Sequence, residues 1–127
     1  MSEIPADILY TKSHEWIRKD SDTEVTIGIT DHAQAQLGEL VFVELPELNN
    51  EMNKGDDAVV VESVKTAADV YAPLAGEVMA VNEKLSESPN LVNEDPYGEG
   101  WLFKLRIDNL DDVSKLMTAE AYEGECA

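Results

Sequence analysis

Gly38-Glu39-Leu40-Val41-Phe42-Val43 and Gly76-Glu77-Val78-Met79-Ala80-Val81 set glycine, acid and apolar residues in the same order twice within one chain. Each is followed by a polar, turn-rich stretch and then by a second hydrophobic strand. After the first copy that strand is Ala58-Val59-Val60-Val61; after the second it is Trp101-Leu102-Phe103-Lys104-Leu105. A pattern stated twice at this spacing implies two supersecondary units that share one core. Two such β units predict an all-β, flattened barrel or sandwich with quasi-twofold halves. The segment that joins them, Glu62 to Pro73, then becomes an exposed turn at one end of the molecule. The longer second connection predicts a short helix, with Pro89 in its first turn and Pro96 beyond its end.

Outward from this repeat, the N-terminal stretch predicts a helical turn after Pro5 and then a hairpin. Its arms are about His14 to Lys19 and Glu24 to Ile29, joined by Asp20-Ser21-Asp22-Thr23. Val25, Ile27 and Ile29 alternate with polar neighbours, which predicts one buried face. A small helix follows, with Asp31 suited to its N-cap, Gln34 at the capping-box position and Gly38 closing it. A last helix is predicted from about Asp108 to Met117, with Leu110, Val113, Leu116 and Met117 on one face, and a further short turn from Thr118. The expected organisation is a single domain over 1–127. Hairpin and helix occupy 1–37, the two β half-units 38–107, and a C-terminal helix and tail 108–127.

At 127 residues, 43% of them hydrophobic, the chain can bury a modest core without metal or disulfide support. No apolar run approaches the roughly 20 residues that span a bilayer. Met1 to Asp7 have neither the basic-then-apolar layout of a secretory signal nor the Arg-rich character of a transit peptide. The expectation is a cytoplasmic protein, or a mature matrix form whose presequence is gone. Cys126, the single cysteine, excludes an internal disulfide and reads as a solvated tail residue. Twenty-seven acidic against nine basic residues give a formal charge of −18. Such a surface disfavours nucleic acid and anionic membrane as partners and favours fast association with basic protein surfaces.

Catalytic constellations are sparse. His14 and His32 have no second metal-ligand type at a zinc-like spacing, and both read as structural. There is no glycine-rich phosphate loop and no Gly-x-Ser-x-Gly elbow. Lys65 differs. It is the only basic residue between Lys54 and Lys84, on the tight joint between the two β units, within Glu62-Ser63-Val64-Lys65-Thr66-Ala67-Ala68-Asp69. Small or apolar neighbours leave it open to a modifying enzyme. A prosthetic arm needs such a place: presented by strands, exposed and free to swing.

That octapeptide resembles the lipoyl-attachment segment of the glycine cleavage H proteins. The likeness continues in order through Ser13-His14-Glu15-Trp16, Ile27-Gly28-Ile29-Thr30-Asp31-His32-Ala33 and Gly38-Glu39-Leu40-Val41-Phe42-Val43-Glu44-Leu45-Pro46. It extends to Ala72-Pro73-Leu74-Ala75-Gly76-Glu77-Val78 and Asn93-Glu94-Asp95-Pro96-Tyr97-Gly98-Glu99-Gly100-Trp101. The resemblance implies a barrel-sandwich hybrid of the lipoyl/biotinyl hammerhead type, with a few short peripheral helices and a C-terminal helix. It further implies lipoate in amide linkage on Lys65, with Glu62, Ser63, Val64 and Thr66 as modification-motif neighbours. Ser13, Glu15 and Asp69 are implied to line a cleft for the aminomethyl-lipoyl arm.

On the same basis the chain would be a non-catalytic carrier. It would take the aminomethyl group of glycine from a pyridoxal-phosphate glycine dehydrogenase (decarboxylating) to a tetrahydrofolate-dependent aminomethyltransferase. A dihydrolipoyl dehydrogenase would then reoxidise it. Attachment would need a lipoyl or octanoyl transferase or a lipoate ligase, and a free carrier is expected to be monomeric. The extended arm would reach about 14 Å at ordinary bond lengths.

Three other readings stand beside this one. A biotinyl carrier would place methionines on both sides of the lysine, where Val64 and Thr66 stand. The lipoyl domain of a 2-oxo-acid dehydrogenase would usually show Asp before the lysine and a Pro/Ala-rich linker. An acidic interaction protein would carry no prosthetic group, and intact mass separates all of these.

Overall fold

A computed structural model describes residues 4–107, 113 and 115–126. Six strands form one antiparallel sheet in the order β1 (Leu9–Tyr10), β2 (Glu15–Lys19), β3 (Glu24–Ile29), β9 (Phe103–Arg106), β8 (Gly76–Val81), β5 (Glu51–Met52). Three more form a second sheet in the order β4 (Leu40–Glu44), β6 (Asp57–Ser63), β7 (Ala67–Tyr71). The architecture is the expected two-layer β fold with short helices, and the sheets do not close into a barrel. Between them lie Ile17, Ile27, Val43, Val59, Val61, Val70, Val78 and Leu105, all buried. Alternation along β6 turns Val59 and Val61 inward and Glu62 outward. Each such valine stabilises the fold by about 1.5–3 kcal/mol relative to exposure.

The sequence repeat has a structural counterpart. β4 pairs with β6 and β8 pairs with β9, so each unit is its own antiparallel pair. The register slips between Leu40 and Phe42 in the first pair and between Val78 and Ala80 in the second. These are corresponding positions of the two hexapeptides. A β-bulge adds one residue to one strand and re-aims the side chains around it.

Several local expectations are corrected. The N-cap of α1 (Asp31–Leu37) is Thr30, whose hydroxyl accepts from the Ala33 N–H at 3.2 Å. Asp31 falls one residue inside, where its carboxylate accepts from the Gln34 amide instead of capping the helix. β3 is buried on both faces, because it lies between β2 and β9 and its second face is also covered. Thr26 bonds Asp20 and Lys104 there, and Gly28 faces Trp16. A Cβ on Gly28 would stand 2.6 Å from the indole, so only glycine fits opposite that ring.

The second connection holds two one-turn helices, α2 (Lys84–Glu87) and α3 (Leu91–Glu94), and Pro89 precedes the N-cap Asn90 of α3. Of the helix expected over 108–117, residues 108–112 and 114 lie outside the described residues. Met117 instead exchanges backbone hydrogen bonds with Tyr10 in a β-bridge, which excludes a helix there. The C-terminal helix is α4 (Ala119–Cys126), begun by Thr118, whose hydroxyl accepts from Ala121 N–H. The Cys126 side chain lies outside the described residues. Among the described residues no helix is long and apolar enough to cross a membrane.

Candidate functional site

β6 and β7 form a hairpin whose last ladder pair is Glu62 and Ala67, leaving Ser63-Val64-Lys65-Thr66 as its turn. Ser63 closes that turn. Its N–H donates to the Thr66 carbonyl at 2.7 Å, and its hydroxyl oxygen accepts from Lys65 N–H at 3.3 Å and Thr66 N–H at 3.1 Å. A serine that bonds the backbone two and three residues ahead is the standard local device for a tight turn. Val64, Lys65 and Thr66 are exposed, and Glu62 points outward from the hairpin.

The Lys65 stem runs beside Gly38, the C-cap of α1. A Cβ on Gly38 would lie 3.3 Å from Lys65 Cε, and the residue has φ +84°, so both space and backbone favour glycine. Asn93 on α3 holds this junction. It accepts from Leu40 N–H at 2.8 Å and donates to the Gly38 carbonyl at 2.8 Å and the Gln34 side chain at 2.9 Å.

Ser13 and Glu15 come together. Glu15 is 2% exposed, and the hydroxyls of Ser13 and Thr11 both donate to its Oε1 at 2.6 Å. Among the described residues none donates to Oε2. The loop doubles back because Thr11 N–H bonds the Glu15 carbonyl and His14 takes φ +70°, a conformation that places the side chains of Ser13 and Glu15 together. The His14 ring is held by the Tyr122 hydroxyl at 2.7 Å and lies 4.8 Å from His32. That hydroxyl also meets Thr30 at 2.6 Å, and Tyr122 stacks on Tyr10 at 4.6 Å. Both histidines therefore sit in an aromatic cluster that braces this loop.

Thr11, Ser13 and Glu15 line one wall of a cleft of about 320 Å³, and Lys54, Gly55, Tyr71, Ala72 and Pro73 line the other. Asp69 is not among the lining residues. It lies two residues before Tyr71, so it shares the outer face of β7 with that ring. Sequence reasoning missed Thr11, Lys54 and Tyr71. The first could have been found from the alternation Thr11-x-Ser13-x-Glu15; Lys54 arrives from the turn after β5 and Tyr71 from the end of β7, and neither carries a local signal. Lys65 lies in the turn two residues before β7 begins at Ala67, and Asp69 lies two residues into that strand.

A family model described as "Glycine cleavage H-protein" matches residues 8–127. The glycine cleavage system H protein of Coxiella burnetii (strain Dugway 5J108-111) is 55% identical over 123 residues, covering 97% of this chain and 95% of that one. The protein of the same description from Psychrobacter sp. (strain PRwf-1) is 52% identical over 125 residues, covering 98% and 99%. Among solved structures, a glycine cleavage system H protein from Mycobacterium marinum superposes with a TM-score of 0.87 at 39% identity. It covers 97% of this chain and 98% of that one.

Proposed function

The chain belongs to the glycine cleavage H-protein family, and on that premise we propose that it is the lipoyl carrier of a glycine cleavage system, with lipoate in amide linkage on Lys65. The observation that carries the assignment is the Ser63-closed turn, which presents an exposed lysine at the tip of the hairpin whose second strand ends at Tyr71, in the wall of the cleft that holds the Glu15 carboxyl group. Lipoate supplies, when attached, a five-membered ring disulfide that cannot reach the dihedral near ±90° of a relaxed one and so opens readily to accept a group and two electrons.

The chain's own residues fit that group. Lys65 is exposed for attachment, and Glu62, Ser63, Val64 and Thr66 shape the turn that a modifying enzyme must read. The arm's reach of about 14 Å is on the scale of β7, whose length from Ala67 to Tyr71 is roughly 13 Å at ordinary strand rise. An arm folded back along β7 would thus end between Asp69 and Tyr71, at the edge of the cleft. There Glu15 Oε2 is available to an amine, while Thr11 and Ser13 hold Oε1 and fix the carboxyl group. Partial exclusion of water in the cleft protects a labile one-carbon unit from hydrolysis. The role is that of a carrier subunit serving the glycine dehydrogenase (decarboxylating), the aminomethyltransferase and dihydrolipoyl dehydrogenase in turn. The chain itself is non-catalytic.

Lys65→Arg tests this directly. The variant should fold as the parent does, gain no lipoyl mass on incubation with lipoate ligase, and abolish glycine-dependent carbon dioxide release in a mixture reconstituted with the three enzymes. Undiminished release from the variant would overturn the assignment.

A further inference from the structure

We propose that Val41, Phe42 and Val64 form an apolar collar around the base of Lys65, and that this collar docks against the apolar, cation-flanked pocket mouth of the enzyme that acylates the lysine. The inference rests on the reading of Lys65 as the attachment point. Among the described residues five large hydrophobic side chains are exposed, and three gather at the hairpin tip: Val41 at 52%, Phe42 at 49% and Val64 at 77%. Phe42 lies opposite Glu62, which lies opposite Ala67, so its row immediately precedes the turn that bears Lys65.

The fold does not demand this exposure. Strict alternation would turn one of Val41 and Phe42 inward; the bulge at Leu40/Phe42 leaves both outside. The matching bulge in the other half-unit carries Met79 and Ala80, each half-buried. The same backbone device is thus used once with its side chains part-covered and once to present a valine and an aromatic ring to solvent. β4 is also an edge strand, with no neighbouring strand beyond it among the described residues.

Geometry and charge identify the occupant. From Cα to Nζ a lysine spans five bonds, about 6 Å, so an enzyme that delivers an acyl carbon to Nζ must bring its wall against the side chains at the base of that stem. The Nζ lone pair attacks the carbonyl carbon of an activated octanoyl or lipoyl donor. The amide C–N bond forms as the bond from that carbon to its leaving group breaks, and an amine proton departs with the leaving group. A pocket built for an eight-carbon chain is lined with apolar groups up to its mouth, which suits a ring and two valines. Glu39 and Glu62 flank the collar, exposed and without an ion-pair partner among the described residues, and fit cations on the rim of that mouth.

The test uses unmodified full-length protein with purified lipoate ligase, ATP and octanoate, read by intact mass over time. Phe42→Thr keeps a residue suited to an edge strand; it should raise KM about tenfold with kcat within about twofold, since ring burial contributes to docking and not to the chemical step. Val41→Thr and Val64→Thr, near-isosteric and exposed, should each raise KM less and carry the same test without altering packing. Phe42→Tyr should behave as the parent, as should Leu48→Thr at a remote exposed position. Parental KM in all three threonine variants at the tip would overturn the collar, and so would an equal loss in Leu48→Thr. If the parent protein gains no octanoyl mass on Lys65, the carrier assignment itself fails and the collar with it.

Discussion

At Glu15 the proposed function places a chemical demand on a side chain that the fold already buries. It is buried, yet its carboxyl group is held through one oxygen only, by Thr11 and Ser13. Glu15→Gln should keep Oε1 in place and put an N–H₂ where Oε2 stands, replacing an acceptor by a donor. The variant should be lipoylated at the parental rate. After loading with glycine, though, it should release ammonia without folate about ten to a hundred times faster, the loss expected for a hydrogen bond between charged groups. A parental release rate would remove Glu15 from any role in holding the amine. Ser13 and Glu15 were legible in the sequence only through the family resemblance of Ser13-His14-Glu15-Trp16, which lies in one short segment. Lys54 and Tyr71 were not, because proximity to that segment is created only when β5 and β7 converge on it. Asn93 was equally hidden: its three bonds to Gln34, Gly38 and Leu40 cross more than fifty residues of chain.

Among the elements, the β2–β3 hairpin shows how a turn is stabilised by charge. Asp20 ends it. Burial alone would raise its carboxyl pKa, but bonds from Thr26, Lys104 and Arg18, with the Lys104 charge, outweigh this and hold it below the usual range. A folded pKa below the unfolded one contributes stability that is complete above the unfolded value of 3.8 and is lost as pH falls through the folded value. Asp20→Asn should therefore cost about 1 kcal/mol at pH 7, the ordinary worth of such bonds, and progressively less below pH 3.8. Urea unfolding midpoints at both pH values decide it; a difference constant with pH would refute the electrostatic account. The same elements mark where sequence suffices. The hairpin and the paired half-units are written in alternation and turn residues, which act over a few positions. The N-cap fell on Thr30 and not Asp31 because the chain enters α1 one residue earlier, and either side chain could have served. The C-terminal helix starts at Ala119 because Met117 pairs with Tyr10, a contact that no local pattern announces.

Across the whole molecule, the two sheets differ in how their charge is balanced. Every ion pair among the described residues belongs to the larger sheet and its connections: Arg18 and Lys104 on Asp20, Lys19 on Asp22, Lys84 on Glu99, Arg106 on Glu77. The smaller sheet and its hairpins carry Glu39, Glu44, Glu62 and Asp69 exposed and, among the described residues, unpaired, with Lys54 and Lys65 as the only cations in the sequence from Gly38 to Gly76. On the proposed function, attachment of lipoate to Lys65 would remove one of those two charges and make the tip still more negative. From Gly38 to Gly76 eight acids stand against those two cations, so the half that bears Lys65 carries its own negative field within the total of −18. A field of that shape orients the carrier before contact, and it is screened over about 10 Å at 0.1 M salt. With lipoylated protein as substrate for dihydrolipoyl dehydrogenase, KM should rise several-fold as salt increases from about 50 to about 200 mM while kcat stays level, because steering acts on encounter and not on disulfide exchange. Glu39→Gln with Glu62→Gln should raise KM at low salt and flatten its salt dependence. A KM indifferent to both would mean that the charge serves solubility alone and that encounter is governed by the apolar contacts at the tip.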